Sequence, residues 1–347
     1  MLSLPRVSLV CVDCVNPTAA VIAMRRSMDQ CTFARAVLLT DESPKTVTPG
    51  IDVIPISRLA SREAYSHFML NHLGQFVSSD YALVIQWDGY VVNAGAWSDG
   101  FLDYDYIGAK WWHKDGCNVG NGGFSLRSKR LLDAVKSLGV RSSILNEDDV
   151  ICRIGRPALE ARHGIRFAPE SVADQFAFER IAPKEPVLPF GFHGLFNMWR
   201  FLSSTDLQDL FLLLDPRTIA YVETLELVQQ YIQQKRYQEA VWLASRVLVI
   251  NRDNIAALRL LSVAAFHAGR MSLVGESLQK LHRIDPLNAD YLADLGDLAA
   301  AAKQTSEASN YYRKLLAIKP NDGATLDKLR RLCGATAEMV EASSNPG

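Results

Sequence analysis

The chain has 347 residues, of which 48% are hydrophobic and 22% are charged, and its formal net charge is −1. At roughly 150 residues per domain this length predicts two domains, and the apolar fraction excludes a mainly disordered chain. A net charge so close to zero argues against non-specific binding of nucleic acid, which needs an excess of Lys and Arg. The longest apolar runs fall far short of the roughly 20 residues that cross a bilayer, so no transmembrane segment is expected.

The N-terminal segment and the cysteines bear on the cellular compartment. Residues 1–14 contain one Arg, a very short apolar run and an early acid, so we expect no signal peptide. Six cysteines in a chain of this length do not form a disulfide framework, and the pair Cys11 and Cys14 alone does not form a zinc site. These features predict a soluble cytoplasmic protein with reduced thiols.

Strands and helices alternate over the first half of the chain. Asn16-Pro17 indicates a helix start, Ser61 a helix N-cap, and Lys129–Leu138 a third helix. Short strands are predicted at residues 7–12, 34–42, 51–56, 81–90, 105–109 and 122–128. This alternation predicts an α/β domain over residues 1–200 that binds its ligands at the carboxyl ends of the strands.

The second half repeats itself with a fixed period. Ile250, Ile284 and Ile318 each precede an Asn/Asp/Lys turn, and their spacings are 284 − 250 = 34 and 318 − 284 = 34. A 34-residue helix–turn–helix period is that of the tetratricopeptide repeat. We expect repeats with a capping helix over residues 218–332, preceded by a linker at 201–217 and followed by a flexible tail at 333–347. Small residues occupy the pattern's close-packed and turn positions: Ala240, Gly269, Gly296 and Ala308.

Gln86-Trp87-Asp88-Gly89 comes directly after the buried apolar run Ala82–Ile85 of the fourth predicted strand. A carboxylate at the end of a buried strand is costly unless a cation or hydrogen-bond donors meet it. Asp88 is therefore a candidate ligand-binding residue. The alternative is a strand-terminating turn that the Asp side chain caps.

A glycine-rich loop and a pair of tryptophans come next. The loop is expected to be flexible, with exposed amides that suit the oxygens of a sugar or phosphate, and the alternative is a plain β-turn. Trp111 and Trp112 stand on a polar segment where a place in the core is hard to explain, and indole faces stack on sugar rings. The loop residues concerned are Gly120, Asn121, Gly122 and Gly123.

Two further motifs carry ionisable groups. Three consecutive acids, Glu147, Asp148 and Asp149, indicate one of two things. They either form the solvated N-terminus of a helix or place a carboxylate beside the substrate as a general base. His193 lies in Phe190-Gly191-Phe192-His193-Gly194, a loop composition typical of a ligand-lining residue, whereas an isolated His is more often structural.

These four elements, in this order, resemble the GT-A glycosyltransferases, which share an Asp-x-Asp metal motif, a glycine-rich loop, a Glu-Asp element and a C-terminal His. More narrowly, the segments LVIQWDGYVVN, YDYIGA, VGNGGFSLR, EDDVIC and PFGFHG resemble a bacterial glycosyltransferase-like family long catalogued as a domain of unknown function. The resemblance spans residues 7–200. Two residues depart from the pattern: Gln86 stands for the first acid of Asp-x-Asp, and Lys110 stands where Pro is expected.

The resemblance implies a GT-A-like, Rossmann-like mixed sheet, and the 34-residue period places an all-α tetratricopeptide-repeat solenoid after it. It implies transfer of a sugar from a nucleotide-diphosphate sugar to an acceptor hydroxyl with inversion, with Asp148 as base and Glu147 or Asp149 orienting the acceptor. Asp88 and His193 would bind a divalent cation, with manganese favoured over magnesium for this mixed donor set. The donor would contact Val12, Asp13, Cys14, Tyr65, Gln86 and Asp88, and the acceptor would contact the tryptophans and the glycine-rich loop.

The expected partners are a nucleotide-sugar donor, a glycan, lipid or protein acceptor, and a protein bound by the repeats. Two other interpretations stay open. The chain could be a scaffold that acts through its repeats and whose sugar-transfer domain is inactive, for which the missing first acid is the main support. It could also be a non-catalytic sugar- or nucleotide-binding module, which would keep the tryptophans but not need Asp148.

Overall fold

The computed structural model describes residues 1–46, 48–139, 145–183 and 187–332. The chain divides into two compact units, Met1–Asp215 and Pro216–Gly347. The first unit holds the sheets and the second is helical throughout its described residues, which confirms an α/β region followed by a helical region. The predicted tail at 333–347 lies outside the described residues.

Six strands of the first unit form a mixed sheet in the order β3-β2-β1-β4-β7-β6, and three short strands form a second sheet in the order β5-β9-β8. The first four strands of the large sheet run parallel, and β7 runs antiparallel to β4 and β6. The strands are β1 (Leu2–Val12), β2 (Cys31–Thr40), β3 (Ile51–Pro55), β4 (Tyr81–Ile85), β5 (Tyr90–Val91), β6 (Tyr106–Ile107), β7 (Phe124–Ser128), β8 (Ala177–Phe178) and β9 (Gly191–Phe192).

Within the described residues of the first unit, seven α-helices connect these strands or follow them. Pro17 begins the first helix, and the Ser61 hydroxyl caps the second by accepting the Ala64 N–H at 3.1 Å, as the sequence predicts. A π-helical turn at Val150–Ile154 continues the short fourth helix. The helices are α1 (Pro17–Gln30), α2 (Arg62–Asn71), α3 (Lys129–Val135), α4 (Glu147–Asp149), α5 (Arg156–His163), α6 (Glu170–Phe176) and α7 (Ser204–Leu213).

Residues 201–217 are not a linker, contrary to the expectation from the sequence. The Ser203 hydroxyl accepts the Asp206 N–H at 3.1 Å and starts α7, which packs against α1. Leu207, Leu210 and Phe211 are buried on one face of this helix. The polar residues between them resemble a linker in composition, but their spacing gives the helix an apolar face that the first unit buries.

The second unit consists of helix pairs in tandem. The second helix of each pair begins at residues 237, 271 and 305, so successive pairs are 34 residues apart, as the sequence period predicts. Residues 323–332 are also helical, at the position expected for a capping helix. The helices are α8 (Pro216–Ile219), α9 (Val222–Gln233), α10 (Tyr237–Ile250), α11 (Ile255–His267), α12 (Met271–Ile284), α13 (Ala289–Ala301) and α14 (Thr305–Ile318).

The turns between pairs explain the repeated Asn/Asp segments. The Asn254 side chain accepts the N–H of Ala257 at 2.9 Å and so caps α11. Asn288, 34 residues later, accepts the N–H of Tyr291 and caps α13. Each repeat thus begins on a side-chain oxygen that satisfies an N–H group without a partner inside the helix.

Small residues let the helices of the repeats approach closely. Ala240 and Ala308 are completely buried at equivalent positions of α10 and α14. A Cβ atom on Gly296 would lie 2.4 Å from the Tyr312 ring, so α13 and α14 touch at this glycine. The small-residue pattern read from the sequence therefore marks real helix–helix contacts.

Candidate functional site

The glycine-rich loop is the centre of the site, and it is a packed segment. Gly120, Asn121, Gly122 and Gly123 are all buried, which corrects the expectation of a flexible loop with exposed amides. A Cβ atom would lie 2.1 Å from the Trp111 ring at Gly120, 2.2 Å from Glu147 Oε1 at Gly122 and 2.0 Å from His193 Nε2 at Gly123. The glycines therefore make room for side chains of three other motifs.

Asn121 gives the loop its turn. Its φ of 71° lies in the left-handed region, which Asn tolerates better than most residues. Its side-chain oxygen accepts the Phe124 N–H at 3.1 Å, and its amide nitrogen lies 3.1 Å from His193 Nδ1. The Asn121 side chain therefore closes the turn of its own loop, and its amide group lies beside the histidine.

Asp148 is bound to the loop by a backbone hydrogen bond. Gly122 N–H donates to Asp148 Oδ2 at 2.9 Å, and the Asp149 N–H lies 2.9 Å from Oδ1. Burial raises the pKa of Asp148 to about 7, the Glu147 charge adds to the rise, and the hydrogen bond from Gly122 opposes it. The carboxyl group is half-buried and changes its charge near neutral pH, which are properties of a general base.

Glu147 is an internal ion-pair partner. Arg127 is completely buried, and its Nη2 donates to Glu147 Oε1 at 3.1 Å and to the Gly122 carbonyl at 3.3 Å. Glu147 itself is only 4% exposed. The carboxylate therefore has a partner inside the protein and fixes the acidic segment to β7.

Gln86, Asp88 and His193 converge on the other side of the loop. His193 Nε2 lies 3.1 Å from Gln86 Oε1 and 3.3 Å from Asp88 Oδ1. The second Asp88 oxygen accepts the Leu195 N–H at 3.1 Å, and the Asp88 carbonyl accepts the Gly194 N–H at 3.1 Å. The segment at residues 86–88 and the segment at residues 193–195, about 100 residues apart in sequence, are thus hydrogen-bonded to each other.

His193 sits between two carboxylates. Its Nδ1 lies 3.1 Å from Glu179 Oε1, and its Nε2 faces Asp88. Burial by itself lowers the pKa of His193, but the Asp88 and Glu179 carboxylates raise it well above its ordinary value. Without a cation the ring is therefore an imidazolium that bridges the two acids.

The atoms around His193 Nε2 suit a divalent cation. Asp88 Oδ1 is buried, forms no hydrogen bond among the described residues and faces His193 Nε2 at 3.3 Å, so a carboxylate oxygen and a ring nitrogen lie side by side. Gln86 Oε1 adds an amide oxygen at 3.1 Å from that nitrogen. This set of one nitrogen and two oxygens fits manganese better than magnesium, which prefers oxygen ligands. Within the described residues, His, Cys, Asp and Glu alone form no cluster of three that could hold a metal.

The residues expected at the donor end lie at the carboxyl ends of β1 and β4. Cys11 of β1 pairs with Ile85 of β4, so the segments that follow, at Asp13 and Gln86, leave the sheet at the same edge. Asp13 Oδ1 accepts the N–H groups of Val15 and Asn16 at 2.7 and 2.6 Å. Burial raises the pKa of Asp13 to about 6, although these two hydrogen bonds oppose the rise.

The other residues expected to contact the donor, Val12, Cys14 and Tyr65, differ in burial and in hydrogen bonding. Val12 is buried at the end of β1, and Cys14 is half-buried with a thiol pKa that burial raises. The Tyr65 hydroxyl accepts a hydrogen bond from Gln86 Nε2 at 3.1 Å. Tyr65 therefore belongs to the same network as His193, through the Gln86 amide.

The two tryptophans separate. Trp111 is 7% exposed and packs in the hydrophobic core against Gly120, which corrects the expectation that it lies outside the core. Its neighbour Trp112 is 59% exposed and is the one indole of the pair that a sugar can reach. Lys110, at the position expected for Pro, pairs with Asp174 at 2.8 Å.

Sequence reasoning missed Arg127 and Glu179. Arg127 lies at the fourth residue of β7, where an Arg in a buried strand requires an acid to pair with, and that is a usable signal. Glu179 follows β8, which pairs with β9 just before His193. This pairing joins two short strands of two residues each, so no sequence pattern marks it.

Comparisons with known proteins cover the two units separately. A family model described as a protein of unknown function, DUF5672, matches residues 50–193, which include Gln86–Gly89, the glycine-rich loop, the three acids and His193. No curated protein matches the chain. Across the described residues, the structure contains no helix with the length and hydropathy of a membrane span.

Tetratricopeptide-repeat domains are among the solved structures to which the chain is similar. The first such domain of human RPAP3 is 18% identical, with a TM-score of 0.31, over 38% of this chain and 100% of that chain. The Sgt2 domain from Aspergillus fumigatus is 18% identical, with a TM-score of 0.31, over 36% of this chain and 84% of that chain. The Arabidopsis OM64 domain is 16% identical, with a TM-score of 0.31, over 35% of this chain and 99% of that chain.

Proposed function

We propose that the first unit is a glycosyltransferase of the GT-A type, which moves a sugar from a nucleotide-diphosphate sugar to an acceptor hydroxyl. The observation that carries this proposal is that one buried loop contacts both a candidate base and a candidate cation-binding cluster. Gly122 binds the Asp148 carboxyl group, whose pKa is about 7, and Gly123 packs on His193 beside Asp88 and Gln86. A base can accept the proton of the acceptor hydroxyl, and a bound cation can neutralise the charge of the leaving diphosphate, so the two groups together support an inverting sugar transfer.

In the proposed reaction, Asp148 accepts the proton of the acceptor hydroxyl as that oxygen attacks the anomeric carbon. The bond between the anomeric carbon and the donor phosphate oxygen breaks, and the nucleoside diphosphate leaves with the electron pair. The hydrogen bond from Gly122 orients the Asp148 carboxylate. Attack from the side opposite the leaving group inverts the anomeric centre.

The cluster of Gln86, Asp88 and His193 is proposed to hold a divalent cation that neutralises the charge developing on the diphosphate. Gln86 replaces the first acid of the resembled motif, and its Oε1 lies within 3.1 Å of His193 Nε2. An amide oxygen is a weaker ligand than a carboxylate for a hard cation, so Gln86→Glu is expected to tighten manganese binding. Asp88→Asn is expected to weaken it.

Glu147 and Arg127 have a positioning role in this proposal. Their buried pair fixes the segment that carries Asp148 to β7 and to the Gly122 carbonyl. Trp112 takes the sugar-stacking role, since its partner Trp111 is in the core. The donor's base and ribose lie at the ends of β1 and β4, where ligands of parallel sheets bind.

The test is donor hydrolysis with a panel of nucleotide sugars, with and without manganese, for the wild type and for Asp88→Asn. Manganese-dependent hydrolysis that Asp88→Asn removes supports the proposal. Calorimetry of donor binding completes the test. Donor affinity that neither manganese nor Asp88→Asn changes would mean that no cation acts at this cluster.

A second candidate function is a non-catalytic sugar- or nucleotide-binding protein that acts through its repeats. It is favoured by Gln86 and by the His193 imidazolium, which balances the charges of Asp88 and Glu179 as an ion-pair partner. This candidate predicts donor binding without turnover under every condition of the panel.

For the second unit we propose binding of a protein partner. Its described residues expose large apolar side chains: Val249 at 71% and Phe266 at 56% lie on helices, and Leu287 at 73% lies in the turn between α12 and α13. The unit also contains no counterpart of the acids, loop or histidine of the first unit. Its proposed role is recruitment of an acceptor or an assembly partner.

A further inference from the structure

Residues 110–119 form a hairpin that leads directly into the glycine-rich loop. Lys110 and Val119 pair as an antiparallel bridge at its base. Gly116 turns the hairpin at a φ of 84°, in the left-handed region that favours glycine. Trp112, which is 59% exposed, lies on this hairpin. The position of the hairpin therefore decides where a sugar that stacks on this indole lies.

Arg153 binds the tip of the hairpin. Its Nη2 lies 2.6 Å from Asp115 Oδ2, and its Nη1 donates to Asp115 Oδ1 at 3.4 Å and to the Cys117 carbonyl at 3.2 Å. Arg156 adds a hydrogen bond to the Gly116 carbonyl at 3.3 Å. The hydrogen bond from Arg153 lowers the pKa of Asp115, so this carboxylate is charged at neutral pH. The tip is thus held by a forked ion pair and two backbone contacts.

Arg153 belongs to the segment that carries the proposed base. The helix of Asp148 continues into the π-helical turn Val150–Ile154, and π-helical turns are frequent at functional sites. The first three residues of this turn are buried in the same hydrophobic cluster as Trp111. The base segment and the hairpin therefore share a core, and the pair of Arg153 and Asp115 joins them a second time at the surface.

This ion pair is too exposed to contribute much to folding. The Arg153 side chain is 25% exposed and the Asp115 side chain 50%, and ion pairs at such positions stabilise a fold only weakly. Lys114, the neighbouring cation, is exposed and forms no ion pair with Asp115 in the described part of the chain. A forked pair does restrict orientation, because two parallel bonds require one relative geometry. Its main effect is therefore on the position of the hairpin.

We infer that Arg153 is a positioning residue for the acceptor sugar: its forked pair with Asp115 holds the hairpin so that a sugar stacked on Trp112 reaches Asp148. This inference rests on the proposed function, which assigns the stacking to Trp112 and the base to Asp148. Misplacement of a bound group by about 1 Å can cost roughly 100-fold in rate. Loss of the pair should therefore act on the acceptor, while the donor binds at the ends of β1 and β4.

Binding of methyl glycosides to the full chain tests the inference without any turnover. The probes are the methyl α- and β-glycosides of glucose, galactose, mannose and N-acetylglucosamine, titrated by ligand-observed NMR. At least one should bind the wild type, and Trp112→Ala should abolish that binding. Arg153→Gln and Asp115→Asn should each weaken it by about tenfold. The double variant should weaken it no further, because both changes break the same pair.

Two further variants and one ratio separate positioning from structural support. Arg153→Lys keeps the charge but loses the fork, so it should behave like Arg153→Gln. Arg162→Gln, at an exposed position of α5, is the matched control and should leave the affinity unchanged. With a donor that the wild type hydrolyses, the ratio of transfer to hydrolysis should fall about tenfold in Arg153→Gln. A merely structural role would lower both rates together and leave this ratio unchanged.

Three results would overturn the inference. They are no binding of any glycoside by the wild type, binding that Trp112→Ala removes but the Arg153 variants leave unchanged, and an unchanged ratio of transfer to hydrolysis. Wild-type affinity in Arg153→Lys would overturn the forked geometry. Glycoside binding that depends on Arg153 in a chain that hydrolyses no donor would contradict the proposed transfer and still support the role of Arg153 in sugar binding.

Discussion

The two units of this chain differ in the sequence distance over which their defining contacts form. In the repeats, the Tyr312 hydroxyl donates to Asp297 at 2.7 Å across 15 residues. In the first unit, His193 meets Asn121 across 72 residues and Gln86 across 107. Short-range contacts repeat with the sequence period and can be read from it. The site of the first unit depends on distant segments that meet only after the sheet has formed.

The boundary between the units is the first place to test this comparison, and it has the largest expected effect. Truncation after Asp206 removes Leu207, Leu210 and Phe211, so the remaining chain should lose its cooperative thermal transition and all donor hydrolysis. Truncation after Asp215 keeps α7 and should retain both. Differential scanning calorimetry and the hydrolysis assay check this pair of variants. A folded, active chain ending at Asp206 would show that α7 does not belong to the first unit.

The same truncation after Asp215 sharpens the role of the repeats. We expect it to leave donor hydrolysis intact while it reduces transfer to the natural acceptor. Equal loss of both activities would mean that the repeats support the first unit structurally and do not recruit a partner.

Asp148 and Asp149 form the next test, because they are adjacent in sequence but differ in their contacts. Asp148→Asn keeps the shape of the side chain and removes its proton-accepting function, so kcat should fall by about 100-fold or more with donor affinity nearly unchanged. Asp149→Asn should have little effect, because its side chain is not bound to the glycine-rich loop. Steady-state kinetics of both variants decide the matter. The assignment is wrong if Asp148→Asn keeps most of its turnover or Asp149→Asn is the more damaging change.

The raised pKa of Asp148 predicts two opposite pH dependences. The base must be ionised, so kcat/KM should fall about tenfold per pH unit below about pH 7. The stability of the folded protein should show the opposite pH dependence and fall as the pH rises. The pKa of about 7 in the folded protein exceeds roughly 3.9 in the unfolded chain, so the folded state binds more protons between these values. The contribution of Asp148 to stability is therefore full below about pH 4 and is lost as the pH rises through 7.

Asp148→Asn isolates this contribution because the amide does not titrate. The variant should melt at a higher temperature than the wild type at pH 8 and at nearly the same temperature at pH 4. Asp149→Asn is the matched control. A wild type that melts at the higher temperature at pH 8 would show that the Asp148 carboxylate is not destabilised by burial.

Glycines test both units with one kind of change. Gly123→Ala places a methyl group on His193, and Gly296→Ala places one on Tyr312, so each should destabilise its own unit by about 1–3 kcal/mol. Gly323→Ala is the control, because nothing lies within 4 Å of its Cβ position. Thermal denaturation measures stability, and donor binding should fall for Gly123→Ala alone. Loss of donor binding in Gly296→Ala would link the units in a way the two sets of contacts do not predict.

The smallest expected effect lies in the turns within the repeats. Lys235, Gly269 and Lys303 occupy equivalent turn positions 34 residues apart, with φ of 58°, 73° and 60°. A left-handed residue other than Gly is strained by roughly 1 kcal/mol, so Lys303→Gly should stabilise the second unit by up to about that amount. Lys280→Gly, inside α12, should destabilise it instead. Urea denaturation distinguishes the two, and a destabilising Lys303→Gly would contradict the strain argument.

The sequence by itself determined the repeat architecture and the elements that carry the site. A 34-residue period places small residues, caps and turns by local rules, because a helix pair contacts mainly its neighbours. The sequence also predicts that two strands end before Asp13 and Gln86, because apolar runs and turn residues are local signals. The prediction of a linker at α7 was wrong because its few apolar residues stabilise a helix only when the first unit buries them.

Only the tertiary structure decided what each site residue does. Glu147 and Asp148 are adjacent acids, yet one pairs with Arg127 inside the protein and the other lies on the Gly122 N–H. The adjacent tryptophans divide in the same way between core and surface. Neighbouring residues on a helix or strand point in different directions, so the partner that each one meets depends on how the sheet and the loop pack. That packing joins residues dozens of positions apart, and no local pattern encodes it.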